Sequence, residues 1–170
     1  MLVMPMSIPE VPLLPPGFVR PEKAEEPPVE PGGSLTMNLT TMPRVGEIID
    51  GLTVGALMID QQTGLPYALL VSHVRPGDEL EWDAANTWAA SLGDGFRLPS
   101  RPEGATLYAN NEQLGEAAFE PEWHWLNEQY SAHTAWLQLF DVGTQDFDYK
   151  DDQYAARAVR RMDIVLQIAV

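Results

Sequence analysis

The sequence predicts an α+β domain that follows an extended, proline-rich N-terminal segment. Three observations predict this organisation. Ten of the fifteen prolines lie in residues 1–43, apolar residues recur at helical spacing in residues 82–92, and apolar and polar residues alternate in several later stretches. Because 45% of the 170 residues are hydrophobic, we expect one domain with a substantial core.

The net charge, the absence of cysteine and the N-terminal sequence exclude several classes of partner and chemistry. A formal net charge of −15 argues against nucleic acid and anionic membranes, since both are bound mainly by Lys and Arg. The absence of cysteine excludes disulfides, thiolate catalysis and cysteine-based zinc sites. The N-terminus lacks the basic segment of a secretion signal, and no apolar run is long enough to span a bilayer. We therefore expect synthesis in a cytoplasm and no membrane insertion.

Residues 1–43 are predicted to form an extended arm and spacer. Prolines prevent regular secondary structure there, and residues 22–33 are acidic, as in a spacer. The first half is too apolar for a solvated tether, which indicates docking onto another protein. The predicted docking residues are Val3, Met6, Ile8, Val11, Leu13, Leu14, Phe18 and Val19. The alternative is a disordered tail.

The folded domain is predicted to span residues 44–170 and to begin with a β-hairpin. Its strands are expected at Ala56–Asp60 and Tyr67–Val74, with Gly64 at positive φ in the turn. A helix follows that ends at Gly93 or Gly95. Its apolar face consists of Trp82, Ala85, Trp88, Ala89 and Leu92.

The stretch "GDGFRLPSRPEG" predicts a structural joint between two helices. Phe96 and Leu98 are expected to enter the core, and Arg97 to bind a carbonyl or carboxylate. Pro99 disfavours helix before it, while Ser100 and Glu103 form a capping box at the second helix. The joint comprises Phe96, Arg97, Leu98, Pro99, Ser100 and Glu103. The second helix is expected to continue through Leu107 and Tyr108 to Leu114.

The remaining chain is predicted to be mostly strands. Trp123 and Trp125 should share one face, and residues 136–140, 147–149, 155–162 and 164–170 alternate or are strand-like.

In this order, the motifs "GFRLPS", "FEPEWHW", "AWLQLFDVG" and "ARAVRR" resemble the Lcl C-terminal-like domain family of phages and prophages. The similarity covers roughly Val54 to Arg161. The resemblance implies a C-type-lectin-like fold, with two helices on a twisted, mainly antiparallel sheet, paired terminal strands and a loop-rich C-terminal half. The chain departs from the family at Leu126 and Asn127, where members often carry hydroxyl residues.

Together, the resemblance and the arm predict a virion accessory protein. The arm would anchor it to other virion proteins in many copies, as a homo-oligomer or larger assembly, and the domain would bind a host-surface glycan or protein. One alternative is a purely structural decoration, cement or tail and fibre assembly subunit without a soluble ligand. Another is a bacterial or prophage regulator or toxin-associated protein.

Ligand-binding residues are predicted in two irregular loops that are rich in the Tyr, Asn, Gln and His side chains typical of recognition surfaces. The candidates are His124, Asn127, Gln129, Tyr130 and His133 in one loop, and Gln145, Asp146, Asp148, Tyr149 and Lys150 in the other. Ordinary exposed loops are the alternative. At least three of the five tryptophans are expected to be buried, and Arg157, Arg160 and Arg161 form a cationic cluster that would meet an acidic patch.

No metal, cofactor or enzymatic activity is predicted. His73, His124 and His133 lack the spacing of zinc ligands. The alternative, a calcium site, would draw on Asp141, Asp146, Asp148, Asp151 and Asp152, yet lectin-type calcium signatures are absent. Ser131, His133 and Asp141 invite comparison with a catalytic triad, but no G-x-S-x-G elbow is present.

Overall fold

The computed structural model describes residues 42–165, which form two antiparallel sheets and two α-helices. In chain order the elements are β1 (Ile48–Ile49), β2 (Leu52–Ile59), β3 (Pro66–Val71), α1 (Trp82–Ser91), α2 (Arg101–Asn110), β4 (Trp123–Gln129), β5 (Thr134–Leu139), β6 (Gln145–Tyr149) and β7 (Val159–Asp163). The α+β class is confirmed. The predictions for residues 1–41 and 166–170 lie outside the described residues. Within residues 42–165, no helix is both long and apolar enough to cross a bilayer.

The first sheet has the strand order β1-β2-β3-β7. Its β2–β3 hairpin was predicted, and Gly64 in the turn has φ +69°. The second hairpin strand ends at Val71 instead of Val74, because the Ser72 hydroxyl accepts the Val74 N–H at 3.1 Å and turns the chain. Since β7 pairs with β3 while β1 lies at the opposite edge, the expected pairing of terminal strands is wrong for the described strands.

The second sheet has the order β4-β5-β6, and the chain crosses from it to the first sheet shortly before β7. The Trp125 N–H donates to the carbonyl of Ala155 at 2.9 Å, whereas Val159 pairs with Val71 of β3. Strand β7 therefore begins at Val159, and not at the predicted Ala155. Residues 155–158 connect two sheets instead of extending one.

Helix α1 packs its predicted face against the second sheet. Ala85 and Ala89 are buried against Trp125 and Leu137. Trp82, Trp88 and Leu92 are partly buried on the same cluster, as the helical spacing indicated. Gly93 follows the helix with φ +74°, a conformation that favours glycine.

Helix α2 starts as predicted and ends earlier. The Ser100 and Glu103 capping box is present, and Leu107 is buried against the first sheet. The helix stops at Asn110, because the Asn111 amide exchanges hydrogen bonds with the backbone of Phe119 at 3.0 and 2.8 Å. These bonds draw the chain into two 3₁₀ turns, Asn111–Gln113 and Gly115–Ala117, where Leu114 is still buried.

The predicted joint is confirmed and centres on buried Glu103. Its carboxylate accepts two bonds from the Arg97 guanidinium, at 2.6 and 2.7 Å, and one from the Ser100 N–H at 2.7 Å. Leu98 and Pro99 are buried and Phe96 is half-buried. Burial alone would raise the pKa of Glu103, but the hydrogen bonds from Arg97 and Ser100 outweigh it, so the pKa lies below its ordinary value of 4.5.

Only Trp125 among the tryptophans is fully buried, so the expectation of three was wrong. An indole is large, and its N–H requires a partner when it leaves water. Trp125 donates to the Leu80 carbonyl and Trp82 to the Leu126 carbonyl, both at 2.7 Å.

The predicted cationic cluster is dispersed, because successive residues near β7 point in different directions. Arg157 is buried, Arg160 lies 3.7 Å from Asp94, and Arg161 pairs with Asp60.

The substitution Glu103→Gln should lower the free energy of unfolding by about 2 kcal/mol, because an amide cannot satisfy the half-buried Arg97 charge. Urea titration monitored by tryptophan fluorescence measures the change. The exposed Glu112→Gln is the matched control, expected within about 0.5 kcal/mol of the native chain.

The difference between the native chain and Glu103→Gln should depend on pH. A carboxyl whose folded pKa is lowered contributes stability above its unfolded pKa and loses it as the pH falls through 4.5 towards the folded value. The two chains should therefore differ most above about pH 5.5 and converge below pH 4.5. A constant difference between pH 3 and pH 7 would contradict this role for the carboxylate.

Candidate binding surface

The residues predicted in two loops lie mainly on strands of the second sheet. Asn127 and Gln129 belong to β4, and Gln145, Asp146, Asp148 and Tyr149 to β6. The loop prediction was wrong because β5 pairs with both neighbours through these polar stretches, although the β4–β5 register shifts between Trp125 and Gln129. Alternation in β6 then sends neighbouring candidates to opposite faces of the sheet.

One face of this sheet presents three aromatic side chains, Tyr130, Trp136 and Phe147, which we name the aromatic face. Trp136 and Phe147 are directly opposite on β5 and β6. The rings of Tyr130 and Phe147 stack at 3.9 Å with an interplanar angle of 11°, and both meet Trp136 edge-on. Tyr130 is 56% and Phe147 40% exposed. The result is a rigid apolar surface that faces solvent.

Arg101, the first residue of α2, borders the aromatic face. Its guanidinium carbon lies 3.5 Å from the centroid of the Trp136 ring, a cation–π contact that also limits ring motion. The Arg101 Nε donates to Gln145 Oε1 at 3.1 Å, and its backbone N–H donates to Glu128 Oε1 at 3.1 Å. These bonds attach the start of α2 to the second sheet.

Gln145, predicted as a ligand-binding residue, is committed to internal hydrogen bonds. Its Nε2 donates to the Arg101 carbonyl at 2.8 Å and to Oε1 of buried Gln138 at 2.9 Å. Together with the bond that Oε1 accepts from Arg101, these contacts engage both the carbonyl and the amino group of the Gln145 side chain. Gln145 therefore positions the edge of the aromatic face.

Several predicted residues lie on the opposite side of the sheet. Lys150 donates to Gln129 Oε1 at 2.9 Å and lies 4.4 Å from the centroid of the Trp82 ring. Asp148 accepts the Tyr154 hydroxyl at 2.6 Å. That bond is the main reason why the pKa of Asp148 is lowered and the pKa of Tyr154 is raised to about 12.

Of the other candidates, His133 lies between β4 and β5, and Asn127, Asp146 and Tyr149 lie on β4 and β6. His133 and Tyr149 line an open cleft of about 520 Å³ together with Lys150. Asp146 is exposed next to Phe147, whose N–H it accepts. Asn127 is half-buried, and its backbone N–H donates to the Pro99 carbonyl at 2.8 Å. Of the ten predicted residues, only Tyr130 contributes a ring to the aromatic face.

His124 is the clearest correction, because its side chain is 1% exposed. It lies on β4 and meets the stacked rings of Phe119 and Phe140 edge-on, with centroid distances of 5.2 and 5.1 Å. Burial lowers the pKa of His124 to about 4, so the ring is neutral at pH 7. A ligand at the aromatic face does not reach it.

Among the aspartates of the calcium alternative, Asp148 and Asp152 are close enough for a side-chain hydrogen bond, but within residues 42–165 these aspartates do not form a group of three with the ligand-atom spacing of a metal site. In residues 42–165, the cluster of metal-ligating side chains with suitable spacing is Glu120, Glu122 and His124. Neither the histidine spacings of zinc sites nor the aspartates of the calcium alternative include Glu120 or Glu122, so the sequence prediction missed this cluster. The Glu-x-Glu-x-His spacing was the available signal, but the chain bends at residues 121 and 122, so only the fold shows that the three side chains come together.

Protein-family models give no match to the chain, and the curated proteins give none either. The resemblance to Lcl C-terminal-like domains therefore stays a prediction that depends on the motifs alone.

If Gln145 is a positioning residue, Gln145→Ala should lower the free energy of unfolding by about 1–2 kcal/mol, because it leaves buried Gln138 without its partner. Chemical denaturation measures the change. Gln153→Ala, at an exposed residue, is the control and should be close to neutral. Equal stability of the two variants would contradict the assignment.

Proposed function

We propose that this chain is a virion accessory protein whose domain binds a host-surface glycan through the aromatic face. The packed group of exposed Tyr130 and Phe147 with half-buried Trp136 is the observation that carries the proposal. Aromatic side chains offer large contact areas for little loss of conformational entropy. Exposed apolar patches with polar borders are typical of binding sites.

The chemistry of the face favours a neutral sugar. The apolar side of a sugar ring stacks on an aromatic ring, and hydroxyl groups need hydrogen-bonding partners at the edge. Arg101 and Glu128 lie at that edge. The chain carries a net charge of −15, which would repel a polyanionic glycan.

The C-type-lectin-like fold and the location in a virion are part of the same proposal. Two helices and antiparallel sheets are compatible with a C-type-lectin-like domain, although β7 pairs with β3. The apolar residues of the arm support anchoring to other virion proteins, since they suit a long contact with a protein surface. Presentation in many copies would raise the avidity of a weak sugar site.

A structural subunit without a soluble ligand is the second candidate. Leu57 and Ile59 on β2 are 37% and 55% exposed, and Ile48 on the edge strand β1 is 66% exposed. An apolar edge of this kind suits contact with a neighbouring subunit. In this case, the aromatic face would contact protein instead of sugar.

Replacing the stacked pair in the double variant Tyr130→Ser and Phe147→Ser should weaken glycan binding by at least about tenfold. An array of bacterial surface polysaccharides, followed by calorimetry on the bound sugars, measures it. Leu65→Ser removes a 60% exposed apolar side chain at the distant hairpin turn and should bind as the native chain does. Absence of any bound glycan would favour the structural subunit.

If the arm anchors the protein, changes in its apolar residues should prevent association with particles. The full chain with Leu13→Ser, Leu14→Ser and Phe18→Ser should no longer associate with particles that lack this subunit. Its glycan binding should be unchanged. The control changes the acidic spacer, Glu22→Gln, Glu25→Gln and Glu26→Gln, and should associate normally. Co-sedimentation measures both, and particle binding by the apolar-arm variant would contradict the anchor.

A further inference from the structure

A cleft at the opposite end of β4 is distinct from the aromatic face. It has a volume of about 240 Å³ and is lined by residues 75–79, by Glu120, Glu122 and His124, and by residues 155–157. The loop before α1, the segment before β4 and the crossover to β7 therefore meet there. Nothing in the proposed glycan binding uses this cleft.

One ligand atom from each of Glu120, Glu122 and His124 lies within 4.8 Å of the other two. The chain bends at residues 121 and 122, where the Glu122 N–H donates to the Glu120 carbonyl at 2.7 Å, and this bend brings both carboxylates near His124 at the start of β4. Carboxylate oxygens and an imidazole nitrogen are the donors that a divalent transition-metal ion takes from proteins.

The buried imidazole is oriented as a metal ligand. Its Nδ1 lies 3.1 Å from the Glu122 carbonyl oxygen, and because a carbonyl only accepts, Nδ1 carries the hydrogen. In the neutral ring, Nε2 then presents a lone pair, and this buried atom makes no hydrogen bond within residues 42–165. It faces Glu120 Oε2 at 3.5 Å, so two acceptors meet without a donor between them. A cation resolves this contact, and the Nδ1 bond is the usual second anchor of a ligating histidine.

Two arginines set the charge of the cleft. Arg75 pairs with Glu120, and Arg157 Nη1 lies 3.9 Å from Glu120 Oε2. Buried Arg157 is held by the carbonyls of Ser72, Ala117 and Ala118 at 2.9 to 3.2 Å, whereas the Arg75 side chain is 45% exposed and donates at longer distances, 3.3 and 3.4 Å, to the carbonyls of Glu116 and Ala118. A metal ion would therefore displace Arg75 from Glu120 and leave Arg157 where it is. This competition limits the affinity of the site.

We propose that Glu120, Glu122 and His124 Nε2 bind a divalent transition-metal ion of the zinc type, with its remaining coordination positions open to the cleft. Calcium fits less well, because it requires about six to eight oxygen ligands. The ion would tie the segment before β4 to the strand, and by mass action it would stabilise the folded chain.

The test is calorimetric titration of the full chain with Zn²⁺ and with Ca²⁺. One equivalent of Zn²⁺ should bind more tightly than Ca²⁺. Glu122→Gln should weaken Zn²⁺ binding by about tenfold or more, and the exposed position of Glu122 leaves the fold intact. Glu79→Gln removes the same charge from the same cleft and should change the affinity by less than about threefold.

A second variant is expected to gain affinity for Zn²⁺. Arg75→Gln should tighten Zn²⁺ binding by about threefold or more, because Glu120 is then free of its competitor. In ¹⁵N spectra of the histidine rings, Zn²⁺ should shift Nε2 of His124 while Nδ1 stays protonated. The proposal is overturned if Zn²⁺ at about 1 mM shows no binding, if Glu122→Gln and Glu79→Gln weaken it equally, or if Ca²⁺ binds as tightly.

Discussion

The buried carboxylate of Glu103 is the interaction on which the other parts of this domain depend. It holds the Arg97 guanidinium with two hydrogen bonds and accepts the Ser100 N–H and the Tyr67 hydroxyl, the last at 3.3 Å. Arg97 also exchanges backbone hydrogen bonds with Val159 of β7, at 2.9 and 2.8 Å. One side chain thus links the first sheet to the start of α2. A carboxylate at this depth is stable only because each of its neighbours donates a hydrogen bond.

The same joint positions the candidate binding surface. Because the capping box sets where α2 begins, Arg101 lies directly over the Trp136 ring. The Asn127 N–H binds the Pro99 carbonyl, and Gln145 binds the Arg101 carbonyl. The second sheet is thereby held against the joint on both sides of Arg101. The aromatic face is rigid because its border belongs to this hydrogen-bonded frame.

The crossover between the two sheets explains the position of the cleft that contains Glu120, Glu122 and His124. Residues 155–158 leave β4 and join β3, and they carry Arg157 into the interior between the Ser72, Ala117 and Ala118 carbonyls. Burial lowers the pKa of Arg157 to about 10, yet the guanidinium remains charged at neutral pH. A charge fixed at this depth needs acidic neighbours, and Glu120 supplies one. The carboxylates and the buried imidazole of the cleft thus come together where the chain crosses from the second sheet to the first.

Local patterns in the sequence determined the hairpin with Gly64, the apolar face of α1, the capping box at Ser100 and the α+β class, since each depends on neighbours within a few residues. Tertiary structure alone decided that β7 joins β3 and that the polar stretches of β4 and β6 are strands. It also decided that His124 is buried and that Trp136 and Phe147 meet on an exposed face. Strand pairing joins residues distant in the chain, and alternation does not reveal which face will be covered. The spacing Glu120, Glu122, His124 was visible from the start, but only the fold brought their ligand atoms within 4.8 Å.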